Sequence, residues 1–406
     1  QAGEFGEAGG DGILGWEFVP NFTTPASSTF TIKPHLALAA FDPTDVGNYV
    51  STRNIMEQPS PATSSHSLDS VGGRNMFRVG YRNLGTVSSP INSYVTNWNV
   101  NVSGVTPNSQ ANHQSGIRWT ELRRSAGGVM SVFDQGTHAP DPVSGTGRNR
   151  WMGSIAQDYL GNIALGFSRS GSAVGALPDI VWAGRSGGIV AAGTLNEGET
   201  TMFASTGVQQ ATNGRWGDYS AMSVDPADDC TFWYTSEWRD SAFNGTGSNN
   251  PFKWSTRIGK FKFPACSAQP KGTIAANITM CSSGLPVSGA TVKATAGNFS
   301  RQTNASGNLV TNIIAAPETY SVTANLAGYS PASTVAVVLN GSVTTVNLCF
   351  LSPTAAEVPV SGRVVTANGV GVRGAIVSIT DSLGNSRSFT TGAFGYYRFA
   401  GIEAGQ

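Results

Sequence analysis

The sequence predicts an all-β chain of more than one domain, and three observations predict it. Glycine contributes 50 and proline 20 of the 406 residues, serine, threonine and asparagine are abundant, and runs at the helical period are nearly absent. Short alternating or aromatic runs recur along the chain, each closed by a cluster of Gly, Pro, Asn or Ser. Two stretches also share one order of residues: Arg-Trp, a Gly, a strand, an Asp, a turn and a second strand. One begins at Arg150-Trp151-Met152-Gly153-Ser154, reaches Asp158 and continues in Ile163 to Ser168. The other begins at Arg215-Trp216-Gly217-Asp218-Tyr219, reaches Asp225 and continues in Phe232 to Tyr234. Their spacing suits one multi-strand unit per copy, as in the blades of a β-propeller with generous loops.

Equal counts of 25 basic and 25 acidic residues give a formal net charge of zero, and 12% of residues are charged. Nucleic-acid binding therefore lacks its electrostatic footprint. The run of about 18 apolar residues that a spanning helix needs is absent, so no membrane span is expected. Cys230, Cys266, Cys281 and Cys349 include no Cys-x-x-Cys pair. Their even number and the polar, turn-rich surface point to disulfides in an oxidising, extracellular setting. Of three pairings we expect Cys230 with Cys266, at the two ends of one candidate sheet, and Cys281 with Cys349, near the first and last strands of the next domain. No signal peptide is visible, so the numbering is expected to begin after processing or inside a longer chain.

In chain order, 1–30 is expected to be an N-terminal segment, with a Gly- and Glu-rich start and strand-like runs at Trp16 to Val19 and Thr29 to Ile32. Pro20, Pro25 and Pro34 confine these runs to edges or strand starts. Residues 31–267 are expected to form the propeller-like domain. Within it, Ser51 to Ser70 reads as a loop, and strands are expected at 75–82, 93–102, 116–122, 129–135 and 257–263. From Lys271 aromatic residues become few and Ala, Thr, Val and Asn dominate. Two small sandwiches are expected, 268–352 and 353–406, because Pro286-Val287-Ser288-Gly289-Ala290 answers to Gly371-Val372-Arg373-Gly374-Ala375 and Thr303 answers to Thr391.

Residues 271–406 resemble bacterial carboxypeptidase regulatory-like domains, transthyretin-like sandwiches, through Val360-Ser361-Gly362-Arg363-Val364, Gly371 to Thr380 and Thr391 to Gly405. The first copy departs at Asn308-Leu309-Val310, where the aromatic after Gly is missing. Residues 16–266 resemble the propeller-like segment of large exported bacterial proteins that carry such domains. That resemblance rests on Leu68-Asp69-Ser70, Met76-Phe77-Arg78, Tyr81-Arg82-Asn83, Gly116-Ile117-Arg118-Trp119 and the two Arg-Trp stretches, and it implies a surface or secreted protein without an assigned reaction.

The candidate binding residues are Arg118, Trp119, Arg150, Trp151, Arg215, Trp216, Asp218 and Tyr219. A sialidase-like enzyme needs an arginine cluster, a Tyr-Glu pair and an acid, and Arg118, Arg150, Arg185, Arg215, Tyr219, Glu121, Asp158 and Asp218 supply the types. The Asp box is degenerate at Asp158, however, and the competing reading stacks each Arg on its Trp between blades and spends each Asp on a turn. Asp225, Asp228 and Asp229 supply hard oxygens for calcium; Pro226 and the strand that follows favour a plain Asp turn. His35, His66, His113 and His138 read as scattered loop residues. Asn-x-Ser/Thr sites at Asn21, Asn101, Asn244, Asn277, Asn298, Asn304 and Asn340 permit glycosylation. No catalytic residue is assigned.

The resulting expectation is a non-catalytic extracellular scaffold, adhesin or binding module whose partner is a protein or glycan at the cell surface. The alternative is a propeller enzyme acting on glycans. The second sandwich is expected to be incomplete, because Gly405-Gln406 falls where Glu318-Thr319 falls in the first copy. Residues 358–406 are expected to be completed either by further residues of the same chain or by a strand from a neighbouring molecule, which would build a fibre or surface layer.

Overall fold

Alternation of apolar and polar residues, broken by glycine-rich turns, builds strands almost throughout the computed structural model. It describes residues 10–403 apart from 23, 43–53, 61, 64–65, 73, 87–88, 105–112, 126–127, 143–146, 189–191, 212, 242–254, 296–298, 311–313, 352–356 and 381–385. Among these a 3-10 turn spans Pro25–Ser27. The expected N-terminal stretch before Gly10, the linker at 352–356, the sites Asn244 and Asn298 and the last residues 404–406 lie outside the described residues. The chain divides into two compact units, Gln1–Gln269 and Pro270–Gln406.

The first unit opens with β1 (Gly12–Ile13), β2 (Trp16–Val19), β3 (Thr29–Ile32), β4 (Leu36–Ala37), β5 (Asn54–Met56) and β6 (Leu68–Asp69). They pair as β1 with β4, β2 with β3 and β5 with β6. The Ser51 to Ser70 loop thus contains two short strands. Then come three meanders. The first is β7 (Gly80–Asn83), β8 (Asn92–Asn101), β9 (Ser115–Arg124) and β10 (Met130–His138). The second is β11 (Asn149–Gln157), β12 (Ile163–Ser170), β13 (Asp179–Arg185) and β14 (Glu199–Phe203). The third is β15 (Ala221–Val224), β16 (Phe232–Trp238) and β17 (Ser255–Phe261). In each, sequence-consecutive strands are antiparallel neighbours, so β7, β11 and β15 are edge strands. The sheets do not close into a barrel.

The middle meander is buried on both faces, which explains why β12 reads Ile-Ala-Leu-Gly-Phe without polar alternation. One face packs Ile155, Ile163, Leu165, Phe167 and Val181 against Val95, Ile117 and Trp119 of the first meander. The other packs Ala156, Ala164 and Ile180 against Met222, Phe232, Tyr234 and Phe263. Gly166 and Gly184 make the second contact dense: a Cβ on either would stand 2.6 Å from the Tyr234 ring or 2.5 Å from the Phe263 ring. The strand expected over 75–82 begins only at Gly80, because Arg78 takes a left-handed φ of 43° that no extended strand accommodates.

The second unit contains β18 (Lys271–Met280), β19 (Thr291–Ala294), β20 (Phe299–Gln302), β21 (Asn308–Val310), β22 (Ile314–Ala315), β23 (Glu318–Asn325), β24 (Ala332–Val338) and β25 (Val343–Phe350). Strand β18 pairs with β21 and β22 antiparallel and with β25 in parallel, while β20, β19, β23 and β24 form the second sheet. Inward residues alternate along them, among them Ile274, Ile278, Val292, Val322, Val338 and Phe350. There follow β26 (Glu357–Arg363), β27 (Ile376–Thr380), β28 (Ser386–Thr390) and β29 (Tyr396–Glu403), paired β26 with β29 and β27 with β28.

The internal repeat shows in hydrogen bonds. Thr303 Oγ1 donates to the Val287 carbonyl and accepts from Ala290 N–H, and Thr391 Oγ1 does the same with Val372 and Ala375. Gly289 and Gly374, both left-handed, donate to the carbonyls of those same threonines. Both expected disulfides form: Cys230 with Cys266 and Cys281 with Cys349.

Candidate functional site

The tryptophans of the Arg-Trp pairs lie in the core. Trp119, Trp151 and Trp216 are fully buried, and no indole is stacked by its own preceding arginine. The reason for Trp119 and Trp151 is strand geometry, since neighbours on a strand point to opposite faces. Trp151 and Trp216 instead meet each other, ring centroids 6.2 Å apart, among Met56, Leu68, Met76 and Met152. The Trp216 indole donates to Ser168 Oγ at 3.0 Å. The shared order of the two stretches thus reports one tryptophan contact.

The arginines are committed to partners. Arg150 Nε and Nη2 donate to the two oxygens of Glu199, and Nη1 reaches Asp141 at 3.2 Å. Burial pushes Glu199 up, but hydrogen bonds from His138, Arg150 and Arg169 outweigh it and hold the carboxyl far below the usual range. His138, read from sequence as a loop residue, therefore sits buried in β10 on a carboxylate. Arg185 donates to Asp134 at 2.6 Å and Glu121 at 2.8 Å, tying β13 to β9 and β10. Arg118 binds Gln135, Thr137 and the Ala39 carbonyl. Arg215 is exposed and paired with Asp218, which has a left-handed φ of 57°; Tyr219 beside them is half exposed.

The aspartates are spent on turns. Asp158 accepts from Leu160 and Asn162 N–H and from the Asn162 side chain. Asp225 accepts from Ala227 N–H and the Trp233 indole, Asp228 from Cys230 and Thr231 N–H, and Asp229 pairs with Arg82 at 3.0 Å. Donors already occupy these oxygens, and no three His, Cys, Asp or Glu among the described residues are grouped to hold a metal ion. Asp225 and Asp228, two of the three expected calcium ligands, thus serve an Asp turn, and the third, Asp229, is tied to Arg82. Asn101 is buried in β8 with its Nδ2 on Asp42, so the folded chain does not present that site for glycosylation.

What the fold assembles instead is a cavity of about 400 Å³ where the three edge strands β7, β11 and β15 converge. Arg78, Val79, Gly80, Tyr81 and Arg82 form one wall, Ile155, Ala156 and Gln157 the second, and Met222, Ser223 and Val224 the third. Each edge strand leaves one row of backbone N–H and C=O groups outside its own ladder. Gln157 is buried; its Nε2 donates to the Gly161 carbonyl at 3.2 Å, while Oε1 has no partner among the described residues. A second cavity, of about 590 Å³, lies between β2–β3 and the first meander. Its charged groups already satisfy one another, Glu17 bridging Lys33 and Arg124. The expected binding residues line neither cavity. Of the motifs quoted from sequence, Met76-Phe77-Arg78 and Tyr81-Arg82-Asn83 carry wall residues. Gln157 had no signal beyond its place at a strand end.

No protein-family model and no curated protein matches the chain, so the carboxypeptidase regulatory-like resemblance rests on the quoted motifs alone. Among solved structures the chain is similar to the Bacillus anthracis TIE protein, at 14% identity and a TM-score of 0.21, covering 43% of this chain and 36% of that one. It is also similar to a streptococcal ancillary pilin, at 13% identity and a TM-score of 0.24, covering 42% of this chain and 63% of that one. The chain thus spans less than two thirds of either neighbour. Similarity at this level carries no argument about function. No helix among the described residues is long and apolar enough to cross a membrane.

Proposed function

We propose that this chain is a non-catalytic, extracellular surface module whose three stacked meanders belong to a β-propeller and bind a glycan or protein in the cavity between β7, β11 and β15. Residues 268–352 and 353–406 serve as carboxypeptidase regulatory-like spacers. The observation that carries this reading is the cavity wall: it is built from three strand edges and offers a tyrosine, arginines and a glutamine, and none of its lining residues is a carboxylic acid or histidine. Glycoside hydrolysis typically needs two carboxyl groups flanking the bond. The two disulfides support an oxidising compartment.

The alternative, a glycan-cleaving propeller, draws on the exposed Arg215, Asp218 and Tyr219. Incubation with a glycan panel, scored for both retention and turnover, separates the two: retention without turnover is expected, and turnover abolished by Tyr219→Phe would establish the enzyme. Self-association through 358–406 belongs to the same proposal, because Ile376, Phe394 and Tyr396 are exposed. Sedimentation that stays monomeric across a wide concentration range would remove it.

A further inference from the structure

We infer that the cavity between the three strand edges takes an acidic sugar, a uronate unit of a glycan, with Arg78 holding its carboxylate. This rests on the reading of that cavity as the ligand site and names the ligand's chemistry.

Two arginines line the wall, and they differ. Arg82 is tied to Asp229 at 3.0 Å. Arg78 has no carboxylate partner among the described residues; its guanidinium carbon lies 5.7 Å from the centroid of the Phe77 ring. The cavity therefore carries one uncommitted cation and no lining carboxylate to neutralise it. Its backbone stands at φ 43°, a conformation that non-glycine residues seldom adopt and that concentrates at ligand-handling positions. A planar guanidinium left free in a concave site matches a carboxylate through two parallel hydrogen bonds.

The wall also holds an acceptor. Gln157 Oε1 is a buried acceptor without a partner among the described residues, and its amide nitrogen is engaged on the Gly161 carbonyl, so a ligand group that reaches it would satisfy it. The outer edges of β7, β11 and β15 border the cavity as well; of their backbone groups, Met222 N–H is already spent on Ser154 Oγ and the Met152 carbonyl on Ser220 Oγ. One cation and one such acceptor in a single cavity suit a ring that carries hydroxyls and one carboxylate. Tyr81, about half exposed, also lines the cavity; its ring packs against Tyr94 at 5.1 Å and its hydroxyl donates to Asn92. A peptide carboxylate would satisfy Arg78 but has few hydroxyls for the Gln157 acceptor.

The test is calorimetric titration of the oxidised chain with a galacturonic acid trimer, the matching neutral galactose trimer and a glutamate tripeptide. The acidic trimer is expected to bind at least tenfold more tightly than the neutral one, and Arg78→Gln to lose about tenfold to a hundredfold while leaving the fold unchanged by circular dichroism. Affinity should fall as salt rises. Equal binding of both trimers, with Arg78→Gln silent, would keep the cavity as a glycan site and overturn the uronate assignment. Tripeptide binding that depends on Arg78, without trimer binding, would replace the sugar with a peptide carboxylate. No binding by any probe would overturn both the assignment and the ligand-site reading.

Discussion

Glu237 shows what burial does to a single group when only one of its oxygens is served. Its Oε2 accepts from the Gly217 N–H at 2.8 Å, while Oε1 is buried without a partner among the described residues. Burial pushes the carboxyl up to about 7, only partly offset by the Gly217 hydrogen bond and the Arg239 charge. The folded state therefore keeps its proton to near pH 7, whereas the unfolded chain releases it near 4.5. Because the folded form binds more protons in that window, stability falls as pH rises from 4.5 to about 7 and is level above it. Glu237→Gln keeps the acceptor and removes the titration. Relative to wild type it should gain on the order of 3 kcal/mol across that range, read as a rising difference in urea midpoints. A constant offset at all pH values would show that Glu237 does not titrate in this window.

At the scale of elements, β12 and β13 work because they are small where the third meander is large. Gly166 faces Tyr234 and Gly184 faces Phe263, so aromatic rings lie directly on backbone. Gly166→Ala would put a methyl group 2.6 Å from a fully buried ring hemmed in on all sides. It should cost about 1–3 kcal/mol through overpacking. Gly171→Ala is the control, because the added carbon would find its nearest neighbour at 3.6 Å. Chemical denaturation of both variants reads the difference; equal midpoints would mean that the sheets slide apart at little cost. The same packing explains why the periodicity of these strands misleads: a sheet covered on both faces has no polar side to announce it.

At the scale of the molecule, the all-β class and both disulfides were legible because composition, turn residues and strand ends are local properties. The repeat in the second unit was legible for the same reason, since Thr303 and Thr391 make their bonds within one motif. The site was not. Tyr81, Gln157 and Ser223 come from three separate sheets and Arg78 from the segment just before β7, and only the stacking of those sheets brings them to one cavity. The Arg-Trp pairs drew attention by their recurrence, yet they recur because Trp151 and Trp216 fill one core. Repetition signalled packing.

The parallel pairing of β18 with β25 has a mechanical consequence. Parallel partners run in one direction, so the chain enters this sandwich at one end of the ladder, at Lys271, and leaves at the other, at Phe350. With the disulfide reduced, tension applied at Lys271 and Phe350 would load the whole ladder in shear, every rung at once, rather than unzip it rung by rung. Cys281 and Cys349 close the exit end of that ladder and keep 68 residue steps out of the tensioned path. In single-molecule stretching the oxidised sandwich should therefore hide about 230 Å of contour length that appears after reduction. The covalent bond would act as a strain stop, letting the strands yield while the tether stays short.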